Sequence, residues 1–159
     1  MQKLLKIKKL QFRLQQSAGL NIYIREKGEL KMTLTFVQLQ DMLNAFDSLK
    51  EQKLPFKLSL IIAKNTSLLQ KEFEFYVSQE REFALKYLEF DENGQPVSEG
   101  EGMFKIKEGL QKECIEARDE LNKFTCDVEL RKIPASLLEN IDFTPEQVAG
   151  LELIIDEEG

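Results

Sequence analysis

PFKLSLIIAKNTSLLQKEFEFYVSQEREFALKYLEF, Pro55 to Phe90, decides the fold of this chain. Leu58, Ile61, Ile62, Leu68, Leu69, Phe73, Tyr76, Phe83, Tyr87 and Phe90 recur mostly at helical spacings, so a period near 3.6 lays them along one face. Pro55 suits the first turn, where its missing N–H has no helical acceptor to lose. Run without a break, such a helix is roughly 50 Å long at about 1.5 Å per residue. Its weak point is Lys64-Asn65-Thr66-Ser67, because Asn, Thr and Ser are poor helix formers; a kink or interruption is expected there. An apolar stripe of this length calls for cover by the chain's own helices or by another subunit.

Working upstream, Val37, Leu39, Met42, Leu43, Phe46 and Leu49 repeat with the helical period, while before Thr35 the period is two. Leu10, Phe12 and Leu14, then Leu20, Ile22 and Ile24, then Leu30, Met32, Leu34 and Phe36 alternate with polar residues and predict a three-stranded antiparallel meander. Met32 also offers an internal start, which would make the preceding strands an addition. Working downstream, Met103–Ile106 alternates as a short strand, and a helix over Glu108–Phe124 presents Leu110, Cys114, Ile115, Ala117, Leu121 and Phe124. Thr125–Ile133 returns to alternation, with Cys126, Val128 and Leu130 on one side. Thr144-Pro145-Glu146-Gln147 has the makings of a capping box, and Gly150 is expected to end the helix it opens. These elements predict an α+β, helix-dominated fold: a long antiparallel helical hairpin plus a third helix, with small antiparallel β-strands including the N-terminal meander. The chain reads as a single domain, residues 1–35 a basic β-meander arm and residues 36–159 a helical body with short strands. Its 159 residues are enough for one core that hides roughly two thirds of the unfolded surface, without disulfide or metal.

Composition narrows the chemistry. The chain has no histidine, which removes the Ser/His/Asp and Cys/His nucleophile systems, the HExxH metal site and the commonest general base. Cys114 and Cys126 match no zinc or CxxC spacing and are expected to be buried, reduced thiols. LEFDENGQPVSEGEG, Leu88–Gly102, resembles a calcium loop in its first half, with Glu89, Asp91 and Asn93 at ligand positions and Gly94 at the turn. The second half fails, because Gly100 stands where a bidentate glutamate should close the coordination sphere. Asn93-Gly94 is instead expected to supply the positive φ that stops the long helix. No glycine-rich phosphate loop is present, and carboxylate pairs such as Glu72 and Glu74 read as solvated surface. An enzyme is not expected, nor any cofactor or metal.

Charge is uneven: residues 1–31 carry eight Lys/Arg against two Glu, whereas the whole chain is −6. Lys6, Lys8, Lys9, Arg13 and Arg25 are therefore candidates for an anion or partner contact. Solubility and intramolecular charge matching, an acidic protein partner, and nucleic acid are the three readings in descending order, since no nucleic-acid module accompanies the charge. Phe75 lies well round the helix from Phe73 and is the candidate interaction surface. The longest apolar run, Leu60–Ala63, is far too short for a membrane span, and lysines interrupt Leu4–Leu10 before a signal-peptide core forms, so no membrane partner and a cytoplasmic location are expected.

From Met32 onward, VQLQDMLNAF, the long helix after Pro55, YLEFDENGQP, MFKI, ECIEARDELNKF and above all IPASLLENIDFTPEQVAGLELII resemble an uncharacterised family of short phage and prophage proteins, over about four fifths of the chain. The resemblance implies a phage setting, in the bacterial host cytoplasm or the virion, as a virion accessory, assembly factor or host-interaction protein. It carries over no catalytic residue. The functional expectation is a non-enzymatic protein-interaction module, with a phage or host protein or a homo-oligomer as partner. The alternative is a small-ligand binder that sequesters a host signalling nucleotide at an oligomer interface.

Overall fold

A computed structural model describes residues 22–24 and 28–158. The fold is helix-dominated α+β. Among the described residues seven short strands are present, β1 Ile22–Ile24, β2 Glu29–Thr35, β3 Ser98–Gly100, β4 Met103–Phe104, β5 Thr125–Arg131, β6 Ile133–Pro134 and β7 Ile155–Asp156. Among the same residues four helices accompany them, α1 Phe36–Leu49, α2 Phe56–Tyr87, α3 Gln111–Asn122 and α4 Pro145–Leu151. Two compact units divide the chain, one comprising residues to Phe73 and from Thr125, the other Glu74–Phe124.

In the first unit the sheet runs β1-β2-β5, all antiparallel. The expected hairpin between the second and third strands of the meander is β1–β2, with Ile22 opposite Met32; its first strand, Leu10–Leu14, lies outside the described residues. The neighbour on the other side of β2 is β5, paired along its whole length from Glu29↔Arg131 to Thr35↔Thr125. Leu30, Met32 and Leu34 face the core from β2, and Cys126, Val128 and Leu130 from β5. Period-two alternation places each set on one face of the pleat.

Thr35 ends β2 and caps α1: its Oγ1 accepts from the Gln38 amide while the Gln38 side chain accepts from the Thr35 amide. Leu39, Met42, Leu43, Phe46 and Leu49 are buried, but Val37, expected among them, is 64 % exposed. Phe36 stacks on Phe73 with ring centroids 5.6 Å apart.

A second capping box, Thr144 with Gln147, starts α4, and the buried Gln147 amide donates to Ser48 Oγ at 2.9 Å. Gly150 does not stop this helix, which continues to Leu151 and into a 3-10 turn, Glu152–Ile154. Its role is close approach: a Cβ there would lie 2.5 Å from Ala45 Cβ, so the missing side chain is what lets α4 press onto α1. Beyond the turn, β7 pairs in parallel with β6 through Ile133↔Ile155.

α2 is continuous through Lys64-Asn65-Thr66-Ser67, so the expected interruption does not occur. Asn65 is fully buried, its Nδ2 donating to the Arg131 carbonyl at 2.9 Å and its Oδ1 accepting from the Arg131 amide at 2.8 Å. The side-chain amide thus completes the backbone pairing at the outer edge of β5, where no further strand among the described residues supplies partners. Low helix propensity costs well under about 1 kcal/mol, less than two buried hydrogen bonds return. Leu58, Ile62 and Leu69 flank Asn65 on the buried side of the helix; Leu68, expected on that stripe, is 41 % exposed.

In the second unit, residues 74–87 of α2 and helix α3 are joined by residues 88–110. The helix stops at Tyr87, before the DENG turn, and Lys107 Nζ takes two of its terminal carbonyls, Leu85 O at 2.7 Å and Lys86 O at 3.2 Å. Gly94 does have positive φ, +74°, yet it turns a hairpin closed by the Phe90–Pro96 bridge and does not cap the helix. Asp91 Oδ1 accepts from the Asn93 and Gln95 amides, each at 2.9 Å, which fixes the turn. Three segments then close a ring of backbone bonds: Glu89 N to Lys105 O, Lys105 N to Val97 O and Val97 N to Glu89 O, at 2.8–2.9 Å.

Candidate functional site

The second unit holds the most strongly coupled polar cluster among the described residues. Arg118 on α3 clasps Glu80 on α2 through both guanidinium nitrogens, at 2.8 and 3.1 Å, and its guanidinium lies 4.0 Å from the Phe83 ring centroid. Tyr76, one turn before Glu80, donates its hydroxyl to the same carboxylate at 2.6 Å, and its ring meets Phe124 edge-on at 5.0 Å. Burial pushes the Tyr76 phenol up to about 12, with the hydrogen bond and charge of Glu80 adding to it. Burial alone raises Glu80, but the hydrogen bonds from Arg118 and Tyr76 outweigh it and hold the carboxyl below its ordinary value. Arg118 and Tyr76 both donate to the one Glu80 carboxylate, so the chemistry of the cluster is that of a clasp between two helices.

Linkage fixes the sign of its pH dependence. A carboxyl whose folded pKa is depressed adds stability above its unfolded value near 4.3, and that stability disappears as pH falls through the folded pKa. Arg118→Met is expected to cost about 1 kcal/mol near neutral pH, as a partly exposed ion pair should. The gap from wild type should shrink as acid protonates Glu80. Urea unfolding at neutral and acid pH measures it; a gap that does not narrow in acid contradicts the ion-pair account.

The remaining candidates are placed as follows. Lys6, Lys8, Lys9, Arg13 and Arg25 lie outside the described residues. Phe75 is 53 % exposed, its ring 6.2 Å from that of Phe124. Both cysteines are buried and unpaired. Burial, with Glu72 and Asp127 contributing, pushes the Cys126 thiol up to about 11, so it stays protonated and a poor nucleophile at neutral pH. Among the described residues no group of three or more potential ligands is placed to hold a metal, and no helix is long and apolar enough to cross a membrane.

Two surfaces involve residues that sequence did not single out, although the long helix itself was expected to meet a partner. On α2 in the first unit, Phe56 is 80 % exposed and Leu60 and Leu68 are 41 % exposed, with Lys57, Lys64 and Lys71 exposed between them. The lysines recur every seven residues, which at 100° per residue draws one slowly winding line along the helix. None forms an ion pair among the described residues, although Lys64 also borders an open depression lined by Glu29, Glu129 and Arg131. In the second unit, the β3–β4 ribbon turns at Glu101-Gly102, both at positive φ (+50° and +78°), as a two-residue hairpin loop requires. Met103 and Phe104 are 58 % and 46 % exposed, and their cross-strand neighbours are only Gly100 and Ser98. Ile115, expected on the covered face of α3, is 60 % exposed.

The chain matches no family model, no curated protein and no solved structure.

Proposed function

We propose that this chain is a non-enzymatic protein-interaction module that works through the outward face of α2, in the phage setting suggested by the resemblance of its helical segments. One observation carries the reading. A helix that already buries Leu58, Ile62, Asn65 and Leu69 on one side keeps Phe56 80 % exposed and Leu60 41 % exposed on the other. Folding gains nothing from large apolar side chains left in water, whereas burying each against a partner contributes about 1.5–3 kcal/mol. The interleaved lysines add selectivity for a partner with negative charge.

A photo-crosslinking phenylalanine analogue placed at position 60, in chain expressed in bacteria carrying the phage, tests this. The expected result is a discrete protein adduct that disappears when Phe56→Glu is added, the partner being either another copy or a different protein. No discrete adduct, or one indifferent to Phe56→Glu, contradicts the proposal.

A further inference from the structure

We infer that the occupant of the α2 face is the β3–β4 ribbon of a second copy of this chain, in a head-to-tail contact. The inference rests on the interaction reading above and names its partner. Complementarity between the two surfaces carries it. The α2 face offers Lys57, Lys64 and Lys71 among Phe56, Leu60 and Leu68, all exposed. The ribbon offers the reverse: exposed Met103 and Phe104, one on each side of its strand, beside exposed Glu99 and Glu101, with no Lys or Arg from Leu88 to Gly102. The nearest lysine, Lys105, is already engaged by Glu89 at 2.8 Å. Apolar side chains and opposite charges thus occur on both surfaces, the arrangement that steers association and suppresses wrong pairings.

The ribbon is also preorganised. The ring of backbone bonds joining Glu89, Val97 and Lys105 and the tight loop at Glu101-Gly102 hold Met103 and Phe104 in place without covering them. Little ordering remains to be done on binding, which lowers its cost. Because the two surfaces differ, each bound copy still presents one of each, and the contact is heterologous: it extends into chains or closes into a ring.

Sedimentation velocity of the full chain over a range of concentrations tests this, with two double variants confined to exposed positions. Variant one carries Lys57→Glu and Lys64→Glu; variant two carries Met103→Ser and Phe104→Ser. Wild type is expected to form assemblies that grow with concentration and shrink in high salt. Each variant alone should self-associate at least about tenfold more weakly. Mixed together, they should form a dimer with one copy of each and nothing larger, since the mixture retains one intact ridge and one intact ribbon that face each other. A monomeric wild type, a variant that assembles like wild type, or a mixture that stays monomeric overturns the inference. A crosslink from position 60 to a different protein would leave the interaction reading standing while this contact fails.

Discussion

Asn65→Leu is expected to lower the unfolding free energy by about 2–4 kcal/mol, although leucine is the better helix former and branches at the same carbon. The side chain is fully buried and makes both hydrogen bonds to Arg131, at 2.9 and 2.8 Å. Removing it leaves an amide and a carbonyl at the β5 edge without partners in a place water does not readily reach. The penalty is therefore desolvation of two backbone groups, beyond the loss of the bonds themselves. Helical propensity and burial of the new methyl groups recover only part of it. Equilibrium urea unfolding of the two chains checks the figure; a difference within about 0.5 kcal/mol would mean that the amide is incidental and that α2 is held by its leucines alone.

The second large effect concerns the start of the chain. A protein beginning at Met32 lacks β1 and the pairings of Glu29, Leu30 and Lys31 with Arg131, Leu130 and Glu129. Leu30 is only 4 % exposed, opposite the fully buried Leu130, and losing a core leucine costs about 2–5 kcal/mol. The shortened sheet also leaves the end of β5 unpaired on its β2 side, next to the point where Asn65 docks on the other. The truncated chain should melt roughly 10 °C lower, at about 2–4 °C per kcal/mol for a chain of this size, with a broader transition by calorimetry. An unchanged melting temperature would show that strand β2 before Met32 is an appendage.

What could be read from sequence was local. Both capping boxes are written within four residues, Thr35 to Gln38 and Thr144 to Gln147, and the hydroxyl and amide meet wherever the helix lies. Most of α2 follows from its period, although the helix ends at Tyr87, short of Phe90, and Leu68 falls outside its buried side. The expected break at Lys64–Ser67 fails because the residue that compensates, Arg131, is 66 positions away, and propensity knows nothing of it. The pairing of β2 with β5 is remote in the same way. Gly150 suggested a helix stop because that is the usual use of glycine, while its actual constraint is Ala45 on another helix.

The polar clasp had a signal that periodicity alone discounts. Glu80 interrupts the stripe between Tyr76 and Phe83, and Arg118 follows Cys114 by four on α3, so each is a charge on an inward face. Two such misfits on two helices are the pattern that predicts a pair, although sequence does not say that they meet. The lysine ridge was equally present at seven-residue spacing. It acquires meaning only when burial shows which side of α2 stays outside.

The whole account depends on α2 being one unbroken helix whose buried side includes Asn65. Amide hydrogen exchange resolved at single residues over Leu58–Leu69 tests that most directly. The account predicts that Asn65 and Thr66 exchange as slowly as Ile62 and Leu69, because all open only when the first unit unfolds. Fast exchange confined to Lys64–Ser67 between protected flanks would show two helices where one is described, and the ridge along its outer face would go with it.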